Sequence, residues 1–130
     1  MVIVPGVQGE MGILPNHAPL LSTLKFGLLR VRYQGQEQIF TIAGGVIEVQ
    51  PDLVTVMADA AENVQEIDVS RAEAAKRRAE ELLKQGPPPD IDSYLKIESA
   101  LRRSNLRLEA VKRYRGQRTR FPGISEENQK

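Results

Sequence analysis

Apolar residues recur along this chain with two different periods, and the change falls near Asp59. Before it, short aliphatic runs are cut by Gly and Pro. Val2, Ile3 and Val4 stop at Pro5–Gly6; Met11, Ile13 and Leu14 stop at Pro15–Asn16; Leu28, Leu29, Val31 and Tyr33 open after Gly27 and end at Gln34–Gly35. Ile39, Phe40 and Ile42 precede Gly44–Gly45, and Val46, Ile47 and Val49 run up to Pro51–Asp52. Val54, Val56 and Ala58 then alternate with Thr55, Met57 and Asp59. Such short runs at close spacing predict an all-β sandwich or barrel with mostly antiparallel neighbours.

After Asp59 the period becomes helical. Ala72, Ala75, Ala79 and Leu82 repeat on one face with Glu and Lys/Arg between them, which predicts an amphipathic helix. Asp68 is its expected cap, because a carboxylate there accepts from unpaired backbone N–H groups. Gly86 followed by Pro87, Pro88 and Pro89 is expected to end it, since proline cannot continue the ladder. Asp90 or Asp92 should start a second helix, whose narrow stripe is Ile97, Leu101, Leu108 and Val111. A short proline turn predicts that the two helices fold back as an antiparallel hairpin. The expected fold is therefore α+β, with an antiparallel β-sandwich over 1–66, a helical hairpin over 67–115 and a disordered, Arg-rich tail over 116–130.

Composition narrows the function. In 130 residues there is no cysteine, which excludes disulfides, thiolate chemistry and zinc–cysteine sites. No run approaches the roughly 20 apolar residues of a membrane span, and the start carries no secretory pattern, so a soluble, cytosolic chain is expected. The net charge of +1 is unremarkable; its distribution is not. Lys96, Arg102, Arg103, Arg107, Lys112, Arg113, Arg115, Arg118 and Arg120 are opposed in that stretch only by Glu98 and Glu109. A solvated helix face is the plain explanation, but a one-sided excess beside a thin apolar stripe suits an acidic partner. Nucleic acid is the weaker candidate, because only Tyr94 and Tyr114 are near to stack on bases.

No self-contained active site is expected. His17, the single histidine, has no evident orienting acid or nucleophile. Gly44–Gly45 lacks the Gly-Lys-Ser/Thr that a phosphate loop requires and predicts a turn or bulge. Asp52, Asp59 and Glu62 are too scattered for paired acid–base work or a metal cage. The hairpin should be marginal: ordering costs on the order of 1–2 kcal/mol per residue, a fully buried Leu or Ile returns about 1.5–3 kcal/mol, and the first helix offers mainly alanines. A ligand at a hundred times its dissociation constant adds roughly 2.7 kcal/mol, enough to decide such a balance.

Gly9-Glu10-Met11-Gly12-Ile13-Leu14-Pro15-Asn16-His17-Ala18-Pro19-Leu20-Leu21 resembles the signature loop and strands of the epsilon subunit of the rotary, proton-translocating ATP synthase. Gly27-Leu28-Leu29-Arg30-Val31, Ala43-Gly44-Gly45-Val46-Ile47-Glu48-Val49 and Val54-Thr55-Val56-Met57-Ala58-Asp59 continue the resemblance, which runs from about Val2 to Val111. That family begins with one or two further strands upstream, so the resemblance implies a sandwich lacking its first strands, with an unpaired edge.

The resemblance also implies a role: a non-catalytic regulator in the central stalk, coupling proton flow to ATP synthesis and inhibiting hydrolysis through its helices. Its implied partners are the gamma subunit, the membrane rotor ring and the catalytic head. Its implied place is peripheral, on the cytoplasmic face of the energy-coupling membrane, with membrane contact only through the complex and no nucleic-acid partner. Glu10, Met11 and His17 would face the rotor ring, and Arg102, Arg103, Arg107, Lys112 and Arg113 an acidic partner. Ile67-Asp68-x-x-Arg71-Ala72 resembles the ATP-binding signature of certain bacterial members. Carried over, Glu62, Ile67, Asp68, Arg71, Ala72, Arg78, Arg103 and Arg107 would hold ATP as a regulatory ligand, no cofactor being required. Arginines suit phosphate oxygens, although Asp68 as a plain cap and Arg71 as a surface residue fit equally. The rival reading is a stand-alone nucleotide-sensing or acidic-partner-binding module.

Overall fold

The structure is a computed structural model that describes residues 1–115; the tail expected over 116–130 lies outside the described residues. Two compact units divide the chain, Met1–Asn63 and Val64–Arg115.

In the first unit six strands form one antiparallel sheet: β1 (Val2–Gly6), β2 (Gly9–Ile13), β3 (Leu20–Tyr33), β4 (Gln36–Gln50), β5 (Leu53–Ala58) and β6 (Ala61–Asn63). The order is β2-β1-β3-β4-β5, with β6 also on β4. Among the described residues, β2 and β5 end that path and have no strand partner beyond them. The sheet folds over as a sandwich around Val4, Ile13, Leu24, Leu29, Ile42, Ile47 and Val49, all buried.

Two runs that the sequence pattern separates are single strands. β3 begins at Leu20 and passes through Gly27; β4 passes through Gly44–Gly45. At Gly27 the reason is close approach: an added Cβ would lie 2.6 Å from Cβ of Pro5, which occupies that space. Pro5 itself sits where the β1–β3 register shifts, between Ile3 and Gly6, an irregularity that suits a residue without an N–H.

Gly44 and Gly45 take φ of +90° and +139°, yet pairing continues on both sides. Ile42 faces Ala61 and Gly45 faces Ala58, while on the other edge Phe26 faces Ala43 and Leu24 faces Gly45. The Ala43 N–H donates to the Ala60 carbonyl at 3.0 Å and the Asp59 N–H to the Gly44 carbonyl at 3.1 Å. The glycine pair is thus neither a hairpin turn nor a register-changing bulge. It is a bend that β4 shares with its neighbours while the register is kept, and a bend of this kind lets long strands turn the corner of a folded sheet.

The second unit opens with a 3-10 turn (Val64–Glu66), followed by α1 (Val69–Lys84) and α2 (Ile91–Tyr114). Asp68 caps α1, its Oδ1 accepting from the Arg71 N–H at 3.1 Å, and Asp90 caps α2, accepting from the Ser93 N–H at 2.6 Å. The first helix ends at Gln85 and Gly86, whose N–H groups donate to the carbonyls of Glu81 and Leu83. The fully buried side chains of the helices are small: Ala72 and Ala79 on α1, Ser104 and Ala110 on α2. Ile97, Leu101, Leu108 and Val111 are only half-buried. The most deeply buried positions of the pair are therefore alanine and serine, with the larger stripe residues partly covered.

Gly45→Ala should lower the stability of the sheet unit by about 3 kcal/mol, through backbone strain and overpacking together, because its Cβ would lie 2.3 Å from the Met57 carbonyl oxygen. Denaturant unfolding of the full chain measures it, and a change under about 0.5 kcal/mol would contradict the bend as described.

Candidate functional site

The helical unit gathers most of the candidate ligand-binding residues. Ile67 is fully buried just before the Asp68 cap, and Ala72 is fully buried one turn into α1. Neither offers a side-chain contact to a ligand. Arg71 and Arg78 are exposed, about two turns apart on α1, and Arg103 and Arg107 lie about one turn apart on α2. Successive residues rotate by about 100°. With Ala72 and Ala79 marking the seam on α1, and Ser104 on α2, all four arginines fall on the same flank of the antiparallel pair. Glu62 belongs to β6 in the other unit.

The basic residues expected to meet an acidic partner do not share one face. Arg102 and Arg113 lie about three turns apart on the side of α2 away from the seam. Arg103 and Arg107 stand on the flank already described, and Lys112 turns toward the opposite flank. The Arg113 guanidinium also lies 5.4 Å from the centre of the Tyr114 ring, within cation–π range.

In the sheet unit, Glu10 and Met11 sit in β2 beside the β1–β2 turn. Arg30 Nη2 on β3 donates to Glu10 Oε1 at 2.8 Å, with the Glu10 side chain 61% exposed. This pair fixes the carboxylate while leaving it in solvent. Met11 packs partly against the core. His17 lies in the loop that leaves the other end of β2, where its Nδ1–H donates to the Ala18 carbonyl at 2.7 Å. An open groove of about 700 Å³ is lined by Pro19, Leu20, Leu21, Glu48, Pro51 and Asp52 among others, and by none of the candidate residues.

Among the described residues no group of three or more His, Cys, Asp or Glu is placed to hold a metal, and no helix is long and apolar enough to cross a membrane. One residue of consequence escaped the sequence reading as an individual. Arg115, just past α2, donates from Nη1 to the Ile67 carbonyl at 2.6 Å and from Nη2 to the Gln65 carbonyl at 3.1 Å. A basic residue after a helix signals carbonyl capping, but nothing in the pattern tells that the carbonyls belong to the segment before α1.

Comparison with known proteins places each unit in the same family. Residues 1–64 match the model for the ATP synthase delta/epsilon chain β-sandwich domain, and residues 65–112 that for the delta/epsilon chain long α-helix domain. The chain is 45% identical over 112 residues to the ATP synthase epsilon chain of Bacillus licheniformis, covering 86% of this chain and 84% of that one. It is 51% identical over 82 residues to the epsilon chain of Pelotomaculum thermopropionicum, covering 63% of this chain and 61% of that one. Among solved structures, a chain of the Euglena gracilis mitochondrial ATP synthase OSCP/F1/c-ring assembly matches with a TM-score of 0.68 and 28% identity, over 85% of this chain and 68% of that chain.

The caps make one property of the helical unit depend on pH. Hydrogen bonds from the Ser93 backbone and then its side chain hold the Asp90 carboxyl below its ordinary value of 3.8. A depressed value means that the cap's stabilisation is complete above 3.8 and is lost as pH falls through the lower, folded value. Amide protection in the first turn of α2 should therefore hold between pH 7 and about 4 and fall only in stronger acid. Asp90→Ala should lower that protection and abolish the acid step; an unchanged step in the variant would refute the assignment.

Proposed function

Since the chain belongs to the ATP synthase delta/epsilon family, we propose that it serves as the epsilon-type subunit of a rotary, proton-translocating ATP synthase. In this reading it is a non-catalytic member of the central stalk that couples proton flow to ATP synthesis and restrains ATP hydrolysis. The observation that carries the proposal is the agreement of division: two family models in series, over 1–64 and 65–112, on a chain whose compact units are Met1–Asn63 and Val64–Arg115.

The sheet unit is the docking part, seated on the gamma subunit and the membrane rotor ring with Glu10, Met11 and His17 toward the ring. The helical unit is the brake. Folded, it lets the head hydrolyse ATP; extended, it presents Arg102, Arg103, Arg107, Lys112 and Arg113 to acidic surfaces of the catalytic subunits and hinders rotation. The subunit works at the cytoplasmic face of the energy-coupling membrane and meets the membrane only through the complex.

A second reading concerns regulation of the same unit: ATP binds the folded helices and favours that state. What supports it is the common flank of Arg71, Arg78, Arg103 and Arg107, a cluster of guanidinium groups suited to phosphate oxygens. Asp68 completes the set within the helical unit as an acceptor for the adenine amino group or the ribose hydroxyls, with Ile67 and Ala72 as its buried supports.

Two measurements separate these readings. Added to the cognate head and gamma subunit, the full chain should lower the ATPase rate, and the double substitution Arg103→Ala/Arg107→Ala should recover at least half of the lost rate. Absence of both binding to gamma and inhibition would sink the stalk assignment. Titration of ATP into the isolated chain should give saturable binding that Arg71→Ala weakens about tenfold, the scale of one charge-assisted contact. Failure of the wild-type chain to bind would remove the nucleotide reading and leave the stalk reading standing.

A further inference from the structure

The two helices are joined covalently at one end only, through Gln85 to Asp90. At the other end the chain supplies its own closure. The geometry points to Arg115 as a releasable clasp, a guanidinium that bridges the end of α2 to the segment before α1 and holds the helical pair shut.

Three observations carry this. Arg115 has left the helix, with φ −80° and ψ 138°, and that turns its side chain back toward the 3-10 turn instead of continuing along α2. Its guanidinium forks onto two carbonyls, of Ile67 at 2.6 Å and Gln65 at 3.1 Å, 48 and 50 residues away. An arginine that merely caps its own helix would bond the carbonyls of that helix's last turn; here only the backbone N–H does so, donating to Val111 at 3.0 Å. The anchor is itself firm, since Val64 and Ile67 are each 1% exposed and the 3-10 turn packs on α2.

The placement has a consequence for the whole unit. Ile67 immediately precedes the Asp68 cap, so the clasp fixes the start of α1 and the end of α2 with one side chain. Helices whose most deeply buried side chains are alanine and serine can then be kept in register from both ends. Two hydrogen bonds from a charged donor are enough to bias closure, and few enough to be broken when the helices part. The extension that this would control rests on the proposed function; closure in the isolated chain does not.

Amide exchange of the full-length isolated chain tests it, followed over α1, α2 and, as an internal reference, β4. Arg115→Ala should accelerate exchange about tenfold in both helices and leave β4 unchanged. Arg115→Lys should fall between, because an ammonium keeps the charge but not the planar fork. Lys96→Ala, which removes an exposed charge of the same sign from α2, should leave exchange as in the wild type. Helix exchange unaltered by Arg115→Ala, or accelerated equally by Lys96→Ala, would overturn the clasp. Since no synthase partner is present, loss of ATPase inhibition in the assembled system would bear on the proposed function alone.

Discussion

The most deeply buried side chains of α1 and α2 are too small to hold the helices strongly. Ala72, Ala79, Ser104 and Ala110 are the fully buried ones, and an apolar group the size of a methyl is worth about 0.8 kcal/mol on burial. Ordering a residue costs on the order of 1–2 kcal/mol. The small side chains permit close approach of the two backbones, and Ser104 does so without a lost hydrogen bond, because its Oγ donates to the Ala100 carbonyl at 2.9 Å. The larger residues stand aside: Leu82, Ile91 and Leu95 are exposed toward the turn that joins the helices. Closure then depends on the two ends, the Gly-Pro turn at one and the Arg115 fork at the other.

The sheet unit is built on the opposite principle. Its core side chains are Val, Ile and Leu contributed by β1, β2, β3 and β4, and long strands pair without interruption across a shared bend. A unit of this kind resists local opening at its centre, because β1, β3 and β4 cannot leave without breaking ladder bonds on both sides and uncovering aliphatic surface. The two units thus differ in the size of the side chains most deeply buried in them.

The strand-rich and helical halves could be read from periodicity, as could the Asp68 cap and, to within the choice of Asp90 or Asp92, the second one, because each of those signals is local. Asp68 and Asp90 need only the backbone a few residues on. The continuity of β3 and β4 was not legible: Gly27 and Gly44–Gly45 look like punctuation in one dimension. At Gly27 the deciding fact is Pro5 lying over it, and at Gly44–Gly45 it is unbroken pairing on both sides. The apolar stripe of α2 was read correctly as a face, but which of its members lie at the seam depends on the distance between helices, and Ser104 carries no apolar signal at all. Arg115 is the extreme case. Its type and position suggested only a basic helix end, while its partners lie 48 and 50 residues away.

The candidate arginines carry a further constraint. In the proposed scheme Arg103 and Arg107 serve both the nucleotide and the acidic surface of the head, and they stand on the flank they share with Arg71 and Arg78. Arg102 and Arg113 stand elsewhere on α2, so one flat partner cannot engage the whole basic set at once. Exposed ion pairs contribute about 0.2–1 kcal/mol each, so two or three of them at the top of that range approach the roughly 2.7 kcal/mol that a ligand in hundredfold excess over its dissociation constant supplies. A nucleotide that occupies Arg103 and Arg107 withholds them from the head, and the head, once it has them, withholds them from the nucleotide. Competition for two side chains, between opponents of similar strength, is sufficient for a switch. It requires no large conformational energy in the helices themselves.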